Sequence, residues 1–174
     1  RLRQERNIDV LGAGSLIPLK QYDVFIRIIG RLSKKYPAIT AVICGKGPEL
    51  VALQELVKHL GLENNVRLAG EISNPGVLRL MQQCRVFLHT SCYEGFGMVC
   101  LEALYAGAHV VSFVKPMHTG IGHWHIVNNE AEMENKMLEL LSGHLTHTPV
   151  LAFSMKDTVH QIAALYPQSA HPPL

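Results

Sequence analysis

Long apolar runs are missing from this sequence of 174 residues. None reaches the roughly 18–20 residues of a membrane-spanning helix, and no signal peptide stands at its start. A cytoplasmic protein without a transmembrane segment is therefore expected. Charge of one sign is scarce too: lysine and arginine number 16 against 14 acids, for a net charge of +2. With no basic run and no interleaved aromatics, a nucleic-acid surface is not expected. Cysteine is sparse, and no two of Cys44, Cys84, Cys92 and Cys100 form a Cys-x-x-Cys pair. Their apolar surroundings favour reduced, buried thiols over disulfides or a zinc site. Charged residues make up 17% of the chain against 48% hydrophobic ones, which excludes disorder and leaves material for one sizeable core. The opening RLRQERNIDV lacks a methionine and enters a strand pattern at once, as expected of a segment of something longer.

What is present is an alternation of short β-rich runs with helical patterns. Strands are expected at residues 8–12, 39–44, 66–69, 86–89, 109–113 and 126–127. Helices are expected at residues 22–32, 49–60, 75–83, 98–105, 131–141 and 154–165. In the first of these, Val24, Phe25, Ile28, Ile29 and Leu32 recur at helical spacing. Gly61 and Gly107 close two others, Pro75 opens a third, and Ser154-x-x-Asp157 has the capping-box spacing. Strands apolar on both faces, separated by helices of about ten residues, imply a parallel sheet covered on both sides. The expected fold is α/β, a doubly wound parallel sheet of Rossmann-like type over residues 1–166, with a disordered tail at 167–174. Such sheets bind ligands at the carboxyl ends of their strands, near the topological switch point. Three informative turns fall there, at residues 12–20, 45–48 and 91–97.

The last turn opens SCYEGFGMVCLEAL, residues 91–104, in which Glu94 and Glu102 bracket Gly95 and Gly97. Each glycine would cost about 0.8–1.0 kcal/mol in a helix interior, whereas MVCLEAL is a poor surface loop. The helix therefore begins near Gly97, with Glu94 in the loop before it and Glu102 in its second turn. A helix start of this kind offers free amides and a positive dipole end to phosphate, and an acid two turns in can accept hydrogen bonds from ribose hydroxyls. Equally, the glycines can serve only the tight turn, with Glu102 on a solvated face. Spacing alone leaves both readings open.

The run Glu94-GFGMVCL-Glu102, with Ser91 before it and Ala103-Leu104-x-Ala106-Gly107-x-x-Val110-Val111 after it, resembles the E-x7-E signature of retaining glycosyltransferases. It is most similar to the glycogen-synthase and sucrose-synthase-like group, of GT-B fold. Three further stretches resemble that group's motifs in order: Ala13-Gly14-Ser15-Leu16 with Lys20, Ile43-Cys44-Gly45-Lys46-Gly47-Pro48-Glu49, and Val66-Arg67-Leu68-Ala69-Gly70. The resemblance implies a site for a nucleotide diphosphate-sugar donor, the substrate, with no cofactor. Glu102 would hold the ribose and Glu94 the transferred sugar. Amides around Gly95, Phe96, Gly97, Met98 and Val99 would hold the diphosphate, together with Lys20 and the turn at Gly14 and Ser15. Residues 45–47 and 67–71, with Gly45 and Arg67, would flank the base. Lys20 would stabilise the leaving diphosphate, so Lys20 and Glu94 are the catalytic candidates. No Asp-x-Asp occurs, so no metal is expected.

The group's acceptor site and catalytic histidine lie in an N-terminal GT-B domain outside this chain, so transfer by this chain alone is not expected. Peripheral membrane contact of the full enzyme stays open. The alternatives are a non-catalytic nucleotide-sugar-binding module and a GT-B sugar-nucleotide epimerase fragment. Departures from the pattern are Ser15 for a phosphate-binding arginine, Gln21 for glycine, Thr90 and His109 for prolines, and residues 115–125 without the usual glycine pair. His118, His123 and His125 lack an acid or cysteine partner at metal-site spacing and are expected on the surface or in loops. Cys92 and Cys100 are expected to pack rather than react, and Trp124 to sit in the core or at a domain contact.

Overall fold

A computed structural model describes residues 6–95, 97–114 and 120–152. The expected helix at 154–165 and the tail beyond it lie outside the described residues. In chain order the elements are β1 (Ile8–Ala13), a 3-10 turn (Pro18–Lys20), α1 (Tyr22–Leu32), β2 (Ala41–Cys44), α2 (Leu50–His59) and β3 (Val66–Gly70). There follow α3 (Asn74–Gln83), β4 (Cys84–His89), α4 (Met98–Tyr105), β5 (His109–Ser112), β6 (Trp124–Ile126) and α5 (Glu130–Ser142).

The strands form one parallel sheet in the order β3-β2-β1-β4-β5-β6. From β1 the chain works outward through β2 and β3. It then returns to the other side of β1 to lay down β4, β5 and β6. The switch point is the β1–β4 seam, where Val10 pairs with Val86 and Leu11 with Phe87.

Alternate residues of each strand serve opposite faces. Val10, Ile43, Val86, Leu88 and Val111 pack with Phe25, Ile28 and Leu32 of α1, Leu53 and Val57 of α2, and Met133 and Met137 of α5. Leu11, Val42, Phe87 and Val110 pack with Met81 of α3 and with Cys100, Ala103 and Leu104 of α4. Burying a side chain such as Phe25, Leu32 or Phe87 contributes about 1.5–3 kcal/mol, and all three are fully buried. No helix among the described residues is long and apolar enough to cross a membrane.

Four details differ from the sequence expectation. The second strand starts at Ala41, because the Ile39 amide donates to Tyr36 O at 2.9 Å and keeps the preceding residues in a turn. The last strand is Trp124–Ile126, paired to β5 through Val110↔Trp124, and Val127 only donates its amide to Ser112 O at 3.0 Å. The 3-10 turn at Pro18–Lys20 had no signature of its own. Cys92 is exposed, unlike the buried Cys44, Cys84 and Cys100, because it lies in the loop beyond β4 rather than in the sheet.

Candidate functional site

On one side of the switch point, the loops after β1, β2 and β3 are stitched together by backbone. Gly14 N–H donates to Cys44 O at 3.0 Å, Leu16 N–H to Lys46 O at 2.9 Å and Gly45 N–H to Gly70 O at 2.8 Å. Gly45 has φ +147°, and a Cβ there would lie 1.8 Å from Gly14 O. Only glycine fits so close a backbone approach.

On the other side, the 3-10 turn is tied to the loop after β4. Thr90 Oγ1 donates to Lys20 O at 2.8 Å and Cys92 N–H to Leu19 O at 3.1 Å, while the single Ser91 hydroxyl proton goes to Tyr93 O at 2.7 Å. These bonds hold the backbone of Lys20 over the end of β4. Thr90 thus fixes by hydrogen bonding a place where the motif carries proline. Gln21, directly after the turn, adopts φ 48° and ψ 48°. That left-handed conformation costs about 1–2 kcal/mol for a residue with a Cβ, which explains the glycine of the motif.

Gly97, at φ 70°, turns the chain into α4. The first bond of the helix runs from Cys100 N–H to Gly97 O at 2.9 Å. The amides of Met98 and Val99 therefore precede any acceptor one turn back. Both residues line a cleft of about 610 Å³ at the carboxyl ends of the strands, within the range of small-ligand sites. Gly14, Ser15, Lys20, Gly45, Glu94, Gly97 and Glu102 line the same cleft. Nine residues singled out from the sequence thus meet in one place.

Two others do not. Arg67, the second residue of β3, pairs with Val42 and lines a separate depression with Thr40 and Asn65. It sits at the wrong end of its strand, since the cleft lies beyond Gly70. Lys46 and Glu71, from the two stretches expected to flank the base, do line the cleft, with Ile72, Asn74 and Val77 beside them and Lys46 Nζ 2.7 Å from Glu71 Oε2. Gly95 is exposed and stands clear of its neighbours. Phe96 lies outside the described residues.

Lys20 Nζ sits 2.7 Å from Glu94 Oε2, with both side chains about one-fifth exposed. The residues assigned to diphosphate and sugar therefore pair with each other in this structure. Burial pushes the Glu94 pKa up, but the hydrogen bond and charge of Lys20, with His89, outweigh it and hold the carboxyl below its ordinary value. His89, the last residue of β4, is 5% exposed and has Nε2 3.2 Å from the same Glu94 oxygen. That contact has the distance of a hydrogen bond without its direction, and neither ring nitrogen has a hydrogen-bond partner among the described residues. Burial, then the Lys20 charge, lower the His89 pKa, with Glu94 opposing them. Sequence reasoning passed over His89; a polar residue ending the apolar run VFLH was its one signal.

Cys100 is buried beneath α4, where burial pushes its thiol up, and packing is its role. Trp124 is a core residue whose Nε1 donates to Ser112 Oγ at 2.8 Å. His123 lies in the turn before β6, a loop position as expected, whereas His125 lies within β6; both are half-buried near His109, and His118 lies outside the described residues. The His123 ring stacks on His109 at 4.3 Å between centroids. His109 Nε2 must donate to Thr146 O at 3.2 Å, so in the neutral ring Nδ1 accepts from His125 Nε2 at 3.3 Å. The cause is the register of β5 and β6, which sequence spacing does not encode.

The family described as glycosyl transferases group 1 matches residues 1–144. One of the human phosphatidylinositol N-acetylglucosaminyltransferase subunits is 34% identical over 110 residues, covering 63% of this chain and 23% of that protein. Among solved structures, Anabaena HepE in complex with UDP and glucose matches with a TM-score of 0.71 at 23% identity, over 91% of this chain and 48% of that one. The S. aureus protein TarM in complex with UDP matches with a TM-score of 0.70 at 24% identity, over 80% of this chain and 29% of that one. The chain thus spans less than half the length of these proteins, and the structural likeness is one of fold. With a family match over most of its length and the α/β architecture of its GT-B neighbours, the chain belongs to the group 1 glycosyltransferases.

Proposed function

We propose that this chain is the donor-binding domain of a retaining GT-B glycosyltransferase of the E-x7-E type. The carrying observation is that Glu94 and Glu102 line one cleft with Met98 and Val99 between them and Lys20 beside them. Glu102 accepts hydrogen bonds from the ribose, the α4 amides and Lys20 hold the diphosphate, and Glu94 orients the sugar. In the reaction, the bond between sugar C1 and the phosphate oxygen breaks while the acceptor oxygen bonds C1 on the same face. The acceptor proton passes to the departing phosphate. Charge grows on that phosphate, so Lys20 acts mainly in the transition state. The acceptor is held by a second domain.

UDP in two structural neighbours and N-acetylglucosamine in the name of the human relative make UDP-N-acetylglucosamine the first donor to test. The phosphatidylinositol in that name favours a membrane-surface acceptor for the full enzyme. Ser15, in the cleft where the motif carries arginine, favours one second reading, a binding module without transfer. A thermal-shift panel of UDP, GDP, ADP and their sugars tests the proposal. A ligand at 100 times its dissociation constant adds about 2.7 kcal/mol. Stabilisation by UDP and its sugars supports the proposal, and none by any of the panel sinks it.

A further inference from the structure

One carboxylate oxygen in the cleft has two suitors. Lys20 Nζ approaches Glu94 Oε2 at 2.7 Å and holds it; His89 Nε2 approaches it at 3.2 Å and does not complete a hydrogen bond. The two differ in freedom. Lys20 ends a short 3-10 turn, on a flexible side chain one-fifth exposed. His89 ends the β4 strand, 5% exposed, with its ring 6.5 Å from that of Phe87 between centroids. A diphosphate in the cleft competes for the Lys20 ammonium, and Glu94 then loses its cation as its sugar arrives.

We propose that His89 is the positioning residue of Glu94, the fixed donor that keeps this carboxylate in place while Lys20 turns to the diphosphate. The inference rests on the donor-site reading. His89 donates through Nε2–H, which the neutral ring can supply in one of its two tautomers. At 3.2 Å the two atoms already stand within hydrogen-bond distance, so the bond lacks only direction. The charged groups facing the ring are Lys20 from the 3-10 turn and Glu94 from the loop before α4. Cys100 of α4 is buried near the same pair and is held as the thiol. Drawing the Lys20 charge toward phosphate therefore removes the cation that opposes a proton on the ring.

The test uses the full-length enzyme with His89→Gln, whose amide nitrogen can replace Nε2, and His89→Leu, which keeps bulk and removes the donor. UDP affinity is measured by calorimetry, and kcat and donor KM by steady-state kinetics. A misplacement on the order of 1 Å can cost 10²-fold in rate, so His89→Leu should lower kcat roughly 10- to 100-fold. Its UDP affinity should stay near that of the wild type, and His89→Gln should recover most of the rate. Equal losses in both variants, or loss of UDP affinity in step with kcat, would overturn the inference and make His89 a packing residue. Wild-type enzyme that fails to bind UDP or any other nucleotide would instead sink the donor reading itself. Should His89→Leu not fold, NMR of 15N-histidine-labelled wild-type enzyme reads the ring directly. With UDP bound, a protonated, hydrogen-bonded Nε2 is expected, and a bare Nε2 overturns the inference.

Discussion

Lys20 and Glu94 neutralise each other across 2.7 Å in the cleft, and the proposed donor binding would give each a separate task. Removing one preorganised charge-stabilising donor typically costs about 10²–10³-fold in kcat. Lys20→Ala should lower kcat by that order, with a smaller effect on donor KM, in steady-state assays of the full enzyme. An effect on KM alone would place Lys20 in ground-state binding. Gln21 offers a test of backbone strain one residue further on. Gln21→Gly relieves about 1–2 kcal/mol of left-handed strain and gives back roughly 0.5–1 kcal/mol in chain entropy. A modest rise in thermal stability should follow, and a fall would show that the Gln21 side chain contributes packing beyond its conformation. Residue identities at this site were legible where the motif carries them, as with Glu94, Lys20 and Glu102. His89 was not, because the apolar run it ends reads as core. Arg67 was misplaced because a motif names a stretch of strand without saying which end meets the ligand.

The helices Tyr22–Leu32 and Met98–Tyr105 were readable to the residue, for different reasons. In α1 the apolar spacing marks one face, whereas in α4 the bounding glycines Gly97 and Gly107 carry the signal. The 3-10 turn and the β5–β6 pairing were hidden because both depend on partners far away in sequence. The turn is held by the Thr90 hydroxyl and the Cys92 amide, and the histidine stack by strand register. Long-range backbone contact also sets the strongest element-scale prediction. A Cβ at residue 45 would stand 1.8 Å from Gly14 O, and the φ of +147° is already unfavourable for any other residue. Gly45→Ala must push the loops after β1 and β2 apart. It should cost on the order of 2–4 kcal/mol, at the upper end of the usual range for point changes, in denaturant unfolding, and weaken nucleotide binding with it. Unchanged stability would show that these loops are free to separate.

At the scale of the whole molecule, four histidines among the described residues resist protonation in the folded state, with burial the first cause in each. The His109 pKa is lowered to about 4, and those of His89, His125 and His147 are lowered as well. The unfolded chain binds protons at about pH 6.5, before the folded one does. Stability is therefore complete above that pH and falls as acid is added toward pH 4. His109, 6% exposed, accounts for on the order of 2 kcal/mol of loss at pH 5. Glu94, held low by Lys20, adds a loss only below about pH 4.5. Denaturant midpoints should hold near pH 7.5 and fall between about pH 6.5 and 5; a flat profile would contradict the buried, neutral histidines.

The proposed donor site would grip a nucleoside diphosphate between Lys20, the start of α4 and Glu102, all of which line the cleft. Calorimetry of UDP and uridine against the full-length protein and its Glu102→Gln variant addresses this directly, with the unliganded melting temperature measured alongside. UDP should bind far more tightly than uridine, and Glu102→Gln should weaken UDP without shifting the melting temperature. Equal affinity for uridine and UDP, or a Glu102→Gln variant that melts earlier yet binds UDP as before, would contradict the proposed site.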